Sequence, residues 1–218
     1  MGQCFGKIVM KTLYLITTIA AAMLVTPAAQ AATVVDPIGD FSPGYVGAAA
    51  DLDVTSFTVD YNALTNVFTL GATMAGAIDA TTAGVYIIGV NTGTGANAPF
   101  ASLGAPNVRF NQVVRVNKDG TAVVGANPLT ATIAGNAFSL AVSGTLFAST
   151  GFAVQDYSWN LWPRNGVGAG TFVTDFAPDN AMLTAAVPEP ASWAMMFVGM
   201  AAIGLTLRLR RRPAVRFA

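Results

Sequence analysis

Apolar and polar residues alternate with a period of two along much of the chain. Phe57, Val59 and Tyr61 fall on one side of such a segment, while Thr58 and Asp60 fall on the other. The same alternation recurs in residues 68–74, 108–116, 138–142 and 157–161. Because successive side chains of a strand point to opposite faces of a sheet, this period predicts half-buried strands.

Further segments extend this pattern. Residues 85–90 are apolar apart from Tyr86 and Gly89, which predicts a strand buried on both faces. Two shorter segments, residues 121–124 and 130–134, are also predicted to be strands.

Pairs of turn-forming residues separate the predicted strands: Asp119-Gly120, Gly135-Asn136 and Asn165-Gly166. Such pairs tolerate the positive φ that tight hairpins require, so they favour antiparallel pairing. With no amphipathic helix between the strands, the pattern predicts an all-β fold over residues 32–174. We expect an antiparallel β-sandwich, jelly-roll or Ig-like, of eight or nine strands. Residues 175–187 are interpreted as a linker.

The amino-terminal end has the pattern of a secretory signal peptide. Lys7 and Lys11 precede an apolar stretch at residues 13–25, and Ala29 and Ala31 supply the small residues of a cleavage site. This order predicts a signal helix in residues 1–31, recognised by the Sec translocon and cut by signal peptidase after Ala31. The alternative is a retained amino-terminal membrane helix.

The carboxyl-terminal end combines three features. Pro188, Glu189 and Pro190 favour an extended, accessible segment, because proline lacks an amide donor. Residues 191–207 carry no charge and would form a transmembrane helix roughly 25 Å long. The basic stop, residues 208–216, contains Arg208, Arg210, Arg211 and Arg212. Since positive charge stays on the cytoplasmic side, the order predicts that the carboxyl terminus lies inside, that the span is held in membrane lipid and that the bulk of the chain lies outside.

The Pro188-Glu189-Pro190 motif, with Trp193-Ala194, the apolar span and the arginines, resembles the PEP-CTERM sorting tail. It is similar to the variant that reads Pro-Glu-Pro-x-x-Trp-Ala, and the resemblance covers residues 188–218. The resemblance implies that an exosortase, a membrane-embedded cysteine peptidase of Gram-negative bacteria, processes the chain near Pro-Glu-Pro. It also implies delivery to the cell surface, the extracellular matrix or the medium. The alternative is an ordinary single-pass anchor.

Composition excludes several classes of catalytic and binding site. The chain has no histidine, and its one cysteine, Cys4, lies in the predicted signal peptide. Ser-His-Asp and Cys-His catalysis and zinc sites built on these residues are therefore excluded from the mature chain. Residues 32–186 contain ten aspartates and four basic residues, a formal charge of −6. This acidity argues against nucleic-acid binding, since phosphate backbones are repelled.

Four aspartates near the start of the mature chain are candidate ligands for Ca²⁺. Asp36, Asp40, Asp51 and Asp53 would offer carboxylate oxygens, which this ion prefers. In the alternative interpretation, Asp36 and Asp40 form local turns, while Asp51 and Asp53 are exposed ends of a strand. No other cofactor is predicted.

A second candidate site lies in residues 157–164. Trp159 shares a face with Tyr157 and Leu161 and is expected in the core, whereas Trp162 falls on the opposite face. An exposed Trp162 beside Arg164 would stack on a sugar ring, or the two side chains would form a local cation–π contact.

Two short motifs in the mature chain give a second resemblance. The Asp-Pro-x-Gly-Asp and Asp-Leu-Asp motifs resemble those of carbohydrate-binding β-sandwich modules. The resemblance implies extracellular polysaccharide as a partner.

A non-enzymatic exported protein is the leading interpretation. A carbohydrate-binding module, dependent on Ca²⁺ in one version, is the alternative. A glycoside hydrolase would need a pair of carboxyl groups about 5 to 10 Å apart, and no motif selects such a pair.

Overall fold

The structure, a computed structural model, describes residues 31–168, 172–185, 196 and 199–204. The chain divides into two units, one of which is Ala29–Val187. The other combines Met1–Ala28 with Pro188–Ala218, and its described residues, Met196 and residues 199–204, are helical. Among the described residues, no helix is long and apolar enough to span a membrane. The predicted signal helix and most of the predicted span at 191–207 lie outside the described residues.

Short strands dominate Ala29–Val187. In chain order the strands are β1 Ala32–Val35, β2 Val54–Asn62, β3 Val67–Met74, β4 Val85–Asn91, β5 Gln112–Asn117, β6 Thr121–Val124, β7 Asn127–Thr130, β8 Thr132–Ala134, β9 Ala137–Ser143, β10 Ser158–Arg164 and β11 Leu183–Thr184. Single 3₁₀ turns lie at Ala50–Leu52, Ala101–Leu103, Gly144–Leu146 and Val154–Asp156. The prediction of an all-β fold is confirmed.

These strands form two antiparallel sheets. The first has the order β1-β2-β3-β9-β8, and the second has the order β11-β10-β4-β5-β6-β7. Every strand pair within the two sheets is antiparallel. The predicted hairpins at Asp119-Gly120 and Gly135-Asn136 connect β5 to β6 and β8 to β9.

One apolar core lies between the sheets, as in a β-sandwich. The first sheet contributes Phe57, Phe68 and Leu140, and the second contributes Ile88 and Trp159. All five are fully or almost fully buried. The centroids of the Phe68 and Trp159 rings are 4.8 Å apart. The predicted inward position of Trp159 is therefore confirmed.

The second sheet is covered on its outer face as well. Trp162 of β10 packs there with Val108 and Phe176, which lie in the loop after β4 and the segment after β10. This cover explains why β4, predicted to be buried on both faces, is buried over most of its length.

Several details of the sequence prediction were wrong, and one is the strand count, since the described residues form eleven strands where eight or nine were expected. The strand predicted at 108–116 begins at Gln112, and Val108 packs on the outer face while Val114 packs in the central core. The strand predicted at 130–134 is interrupted at the buried Ala131, where the chain passes from the second sheet to the first. The interpretation of residues 175–187 as a linker fails over 175–185, because Ala177 is buried and β11 pairs with β10.

The Asp119-Gly120 hairpin offers a test of backbone geometry. Gly120 has a φ of 86°, and a Cβ there would lie 2.9 Å from the Ala131 carbonyl oxygen. Gly120→Ala should reduce the free energy of unfolding by about 2 kcal/mol, through the left-handed conformation and the clash. Gly125, with a φ of 56° and open space around its Cα, is the matched control. Gly125→Ala should cost about 1 kcal/mol in urea unfolding. Equal losses would contradict the clash.

Candidate functional site

Five aspartates from distant parts of the chain come together in one cluster. Asp36 follows β1, Asp40 lies in the loop after it, and Asp53 immediately precedes β2. Asp175 and Asp179 belong to the segment between β10 and β11. Carboxylate oxygens of Asp36, Asp40 and Asp179 lie within 4.8 Å of one another, as do those of Asp40, Asp53 and Asp175. Asp40 is common to both groups.

Backbone amides orient two of these carboxylates. Asp53 Oδ2 accepts a hydrogen bond of 2.9 Å from the Gly39 amide. Asp175 Oδ2 accepts one of 2.7 Å from the Val54 amide, and Asp175 Oδ1 accepts one of 2.7 Å from the Phe176 amide. Asp175 thereby joins the segment after β10 to the start of β2.

Other oxygen atoms of the cluster have no donor among the described residues. These buried atoms are Asp36 Oδ2, Asp40 Oδ1, Asp53 Oδ1 and the hydroxyl oxygen of Ser42. Asp36 and Ser42 are each only 5% exposed, and Asp53 is 3% exposed. Buried acceptors without donors are costly, so this concentration distinguishes the cluster from an ordinary polar surface.

The aspartates perturb one another electrostatically. Burial raises the pKa of Asp36 to about 8, with further contributions from the charges of Asp175, Asp40, Asp179 and Asp53. Burial also raises the pKa of Asp175 to about 7, against the lowering effect of its two backbone hydrogen bonds. The pKa values of Asp53 and Asp179 are raised, first by burial and then by the charge of Asp40. The contributing charged neighbours are all aspartates.

A cleft of about 200 Å³ opens at the cluster. Its lining includes Asp40, Ser42, Asp175 and Asp179 on one part and Leu103 with Gly104 on another. The cluster is therefore reachable from solvent by a small ion, although several of its carboxylates are buried.

Asp51, one of the four aspartates predicted as Ca²⁺ ligands, does not belong to this cluster. Its Oδ2 lies 2.5 Å from the Lys118 ammonium, and Thr82 contacts the same pair. The structure brings together the other three predicted residues, Asp36, Asp40 and Asp53. The alternative interpretation of Asp53 as an exposed strand end is wrong, since it is buried.

Sequence reasoning missed Asp175 and Asp179. Both lie more than 120 residues from Asp36 and Asp53, in a stretch interpreted as a linker. The only sequence signal near them was the Thr174-Asp175-Phe176 triplet, in which two polar residues precede an aromatic residue. This is weak evidence that the segment packs against the sheets and does not form a linker.

The expected exposure of Trp162 is wrong. The side chain is 3% exposed, and its ring centroid lies 4.6 Å from that of Phe110 and 5.1 Å from that of Phe100. The loop after β4 folds over the outer face of the sheet and removes the ring from solvent. Arg164 ends β10, is partly buried, and pairs through its backbone with Val173. An accessible Trp162–Arg164 platform is therefore not present.

The predicted processing sites lie outside the described residues. They are Ala29 at the signal cleavage site, Pro188, Glu189, Pro190, Trp193 and Ala194 in the sorting motif, and Arg208, Arg210, Arg211 and Arg212 in the basic stop. Ala31 is described and lies just before β1.

Comparison with known proteins identifies the carboxyl-terminal segment. Residues 186–212 match the family model of the PEP-CTERM protein-sorting motif. The chain carries a PEP-CTERM sorting motif. No curated protein and no solved structure matches the chain.

The PEP-CTERM motif suggests an exported protein that is targeted to exosortase and sorted to the membrane or surface of a Gram-negative bacterium. The matched segment contains Pro188-Glu189-Pro190, Trp193-Ala194 and the arginines Arg208 to Arg212. The matched segment begins at residue 186, directly after Ala185, which is the last described residue of the strand-rich unit.

Proposed function

We propose that this chain is a non-enzymatic exported protein of the cell envelope or extracellular matrix. The PEP-CTERM match at residues 186–212 is the observation that carries the proposal. Signal peptidase removes residues 1–31 after Sec-dependent export, and residues 191–207 then anchor the chain transiently in the inner membrane. Exosortase recognises Pro188-Glu189-Pro190, cuts the chain near this motif, and releases or transfers the part that precedes the cut.

The charge distribution supports this division between a delivered part and a tail. Residues 32–186 have a formal charge of −6, whereas residues 187–218 contain five arginines and one glutamate. The arginines remain on the cytoplasmic side of the membrane, and the acidic part is exported.

The chemistry of the mature chain supports a non-enzymatic role. Without histidine or a retained cysteine, aspartate is the main candidate for acid–base catalysis. Burial and crowding of like charges raise the pKa values of Asp36 and Asp175, but no sequence motif selects a pair of these carboxyl groups for glycoside hydrolysis. Chromogenic glycosides should therefore remain intact when incubated with the protein.

The carbohydrate-binding alternative has less support. Its proposed stacking residue, Trp162, is covered by the loop after β4. The protein should therefore elute unretained from a column of extracellular polysaccharide.

Intact mass analysis in the native host tests the sorting proposal. Protein expressed from the full-length gene in wild-type cells should lack residues 1–31 and the residues that follow a cut near Pro188-Glu189-Pro190. In cells without exosortase the carboxyl-terminal end should remain intact. Glu189→Ala should lower the amount of processed protein more than tenfold, because the motif loses the carboxylate between its two prolines.

Met200→Leu is the matched control, since Met200 lies in the helical segment after Pro188-Glu189-Pro190 and the substitution keeps the side chain apolar. It should be processed as the wild type is. Identical masses with and without exosortase would contradict the proposal, and so would normal processing of Glu189→Ala.

A further inference from the structure

Buried oxygens without donors point to a ligand at the aspartate cluster. An ionised carboxylate can only accept hydrogen bonds, so its unpaired oxygens require a donor, a proton or a cation. Asp36 Oδ2 and Asp53 Oδ1 belong to residues that are at least nine-tenths buried, and neither has a donor among the described residues. The Ser42 hydroxyl oxygen is also buried and unpaired, and Ser42 lines the cleft together with Asp40 and Asp179.

The arrangement of these oxygens suits one class of ion. Carboxylate and hydroxyl oxygens are hard ligands, which favour Ca²⁺ or Mg²⁺ over zinc or copper. Ca²⁺ takes six to eight oxygens at about 2.4 Å, so ligands on opposite sides of it lie about 4.8 Å apart. In each of the two sets of three aspartates that share Asp40, one oxygen from each carboxylate lies within 4.8 Å of the others. Mg²⁺ requires near-ideal octahedral geometry at about 2.1 Å, which carboxylates from widely separated segments satisfy less readily.

We propose that Asp36, Asp40, Asp53, Asp175 and Asp179 form a Ca²⁺ site centred on Asp40. The ion takes the free oxygens of Asp36, Asp40 and Asp53 from the amino-terminal side, and Asp175 and Asp179 close the site from the carboxyl-terminal side. It replaces mutual repulsion between the carboxylates with attraction to a shared cation.

The site lies where it can hold the segment that leads to the sorting motif. Within that segment, Thr174 O accepts a hydrogen bond of 2.8 Å from the Ser42 amide, and Ala177 exchanges backbone hydrogen bonds with Leu161. Buried Asn160 donates its side-chain amide to the Pro178 and Ala181 carbonyl oxygens. Ca²⁺ adds a link from Asp175 and Asp179 to the loop after β1. The ion therefore ties residues 175–179, just before the PEP-CTERM motif, to residues 36–53.

Thermal unfolding of the full chain in detergent, with and without Ca²⁺, tests the proposal. Protein stripped with EGTA should gain about 5 to 10 °C in Tm on addition of 5 mM CaCl₂, since an ion that binds only the folded state stabilises it. MgCl₂ at the same concentration should give less than half of that shift. Calorimetric titration with CaCl₂ should show saturable binding.

Two aspartate variants separate ligation from general effects on stability. Asp40→Asn should lose the Ca²⁺-dependent shift, yet in EGTA it should melt no lower than the wild type, because one repelling charge is gone. Asp51→Asn removes a carboxylate that lies outside the cluster and contacts Lys118. It should melt at a lower temperature in both buffers but retain the full Ca²⁺-dependent shift.

Hydrogen exchange of the wild type provides a measurement that needs no variant. Ca²⁺ should slow amide exchange at Val54 and Phe176, which donate to Asp175, at least threefold. Absence of any Ca²⁺-dependent change in Tm or exchange would overturn the proposal. A full Ca²⁺ response in Asp40→Asn would overturn it too, as would equal destabilisation of that variant in EGTA and in CaCl₂.

Discussion

Replacing Trp162 by alanine is expected to lower the free energy of unfolding by about 3 to 5 kcal/mol. The ring packs against Phe100 and Phe110 and covers the backbone of Gly89, where an added Cβ would collide with it. Removing the indole therefore opens a large cavity between β4 and the loop that follows it. Urea unfolding of the full chain, compared with that of the wild type, measures the loss.

Phe152→Ala is the matched control for Trp162→Ala, because Phe152 is an aromatic residue that is 41% exposed. It should cost less than about 1 kcal/mol. Trp162→Phe should recover part of the loss, since a smaller ring still fills much of the space. A loss below about 1 kcal/mol for Trp162→Ala would contradict the burial of the ring and restore an accessible surface for sugars.

Lys118→Met is expected to destabilise the protein by about 3 to 5 kcal/mol. The Lys118 side chain is 3% exposed and lies 2.5 Å from Asp51, whose side chain is 12% exposed. It also donates hydrogen bonds of 2.7 Å to Thr82 and 3.2 Å to the Ala83 carbonyl oxygen. Removing the ammonium group leaves the Asp51 carboxylate largely desolvated without its cation.

The double variant Asp51→Asn with Lys118→Met should recover a large part of that loss, because no uncompensated charge remains. Raising the salt concentration should change the difference in stability between the wild type and Lys118→Met little, since buried pairs are weakly screened. If the single and double variants unfold at the same urea concentration, the pairing of these two residues does not stabilise the fold.

Asp51 and Asp53 are close in sequence but make different contacts. The alternation of polar and apolar residues could not predict this, because it does not show on which side of a turn a side chain lies. Asp51 and Asp53 are two residues apart, yet Asp51 contacts Lys118 of the β5–β6 hairpin and Asp53 accepts from Gly39. The 3₁₀ turn at Ala50–Leu52 breaks the alternation that would have placed both on one face. The predicted Ca²⁺ ligand set therefore contained one residue that belongs elsewhere.

Strand prediction succeeded where a segment has one face in the core and one in solvent. Residues 57–61 and 68–74 are such cases, with buried residues alternating with more exposed ones. It failed at residues 108–111, because apolar residues there cover the outer face of the second sheet. Alternation cannot distinguish the two apolar environments on either side of one sheet.

By itself, the sequence determined the all-β class, the turns that join the hairpins, the inward position of Trp159 and the PEP-CTERM motif. These features depend on local preferences, on a two-residue period or on a contiguous motif, all of which are present in the order of residues. Only the tertiary structure decided that Trp162 is buried and that Asp175 and Asp179 join Asp36, Asp40 and Asp53. Both outcomes depend on segments far apart in the chain, whose packing no local pattern records.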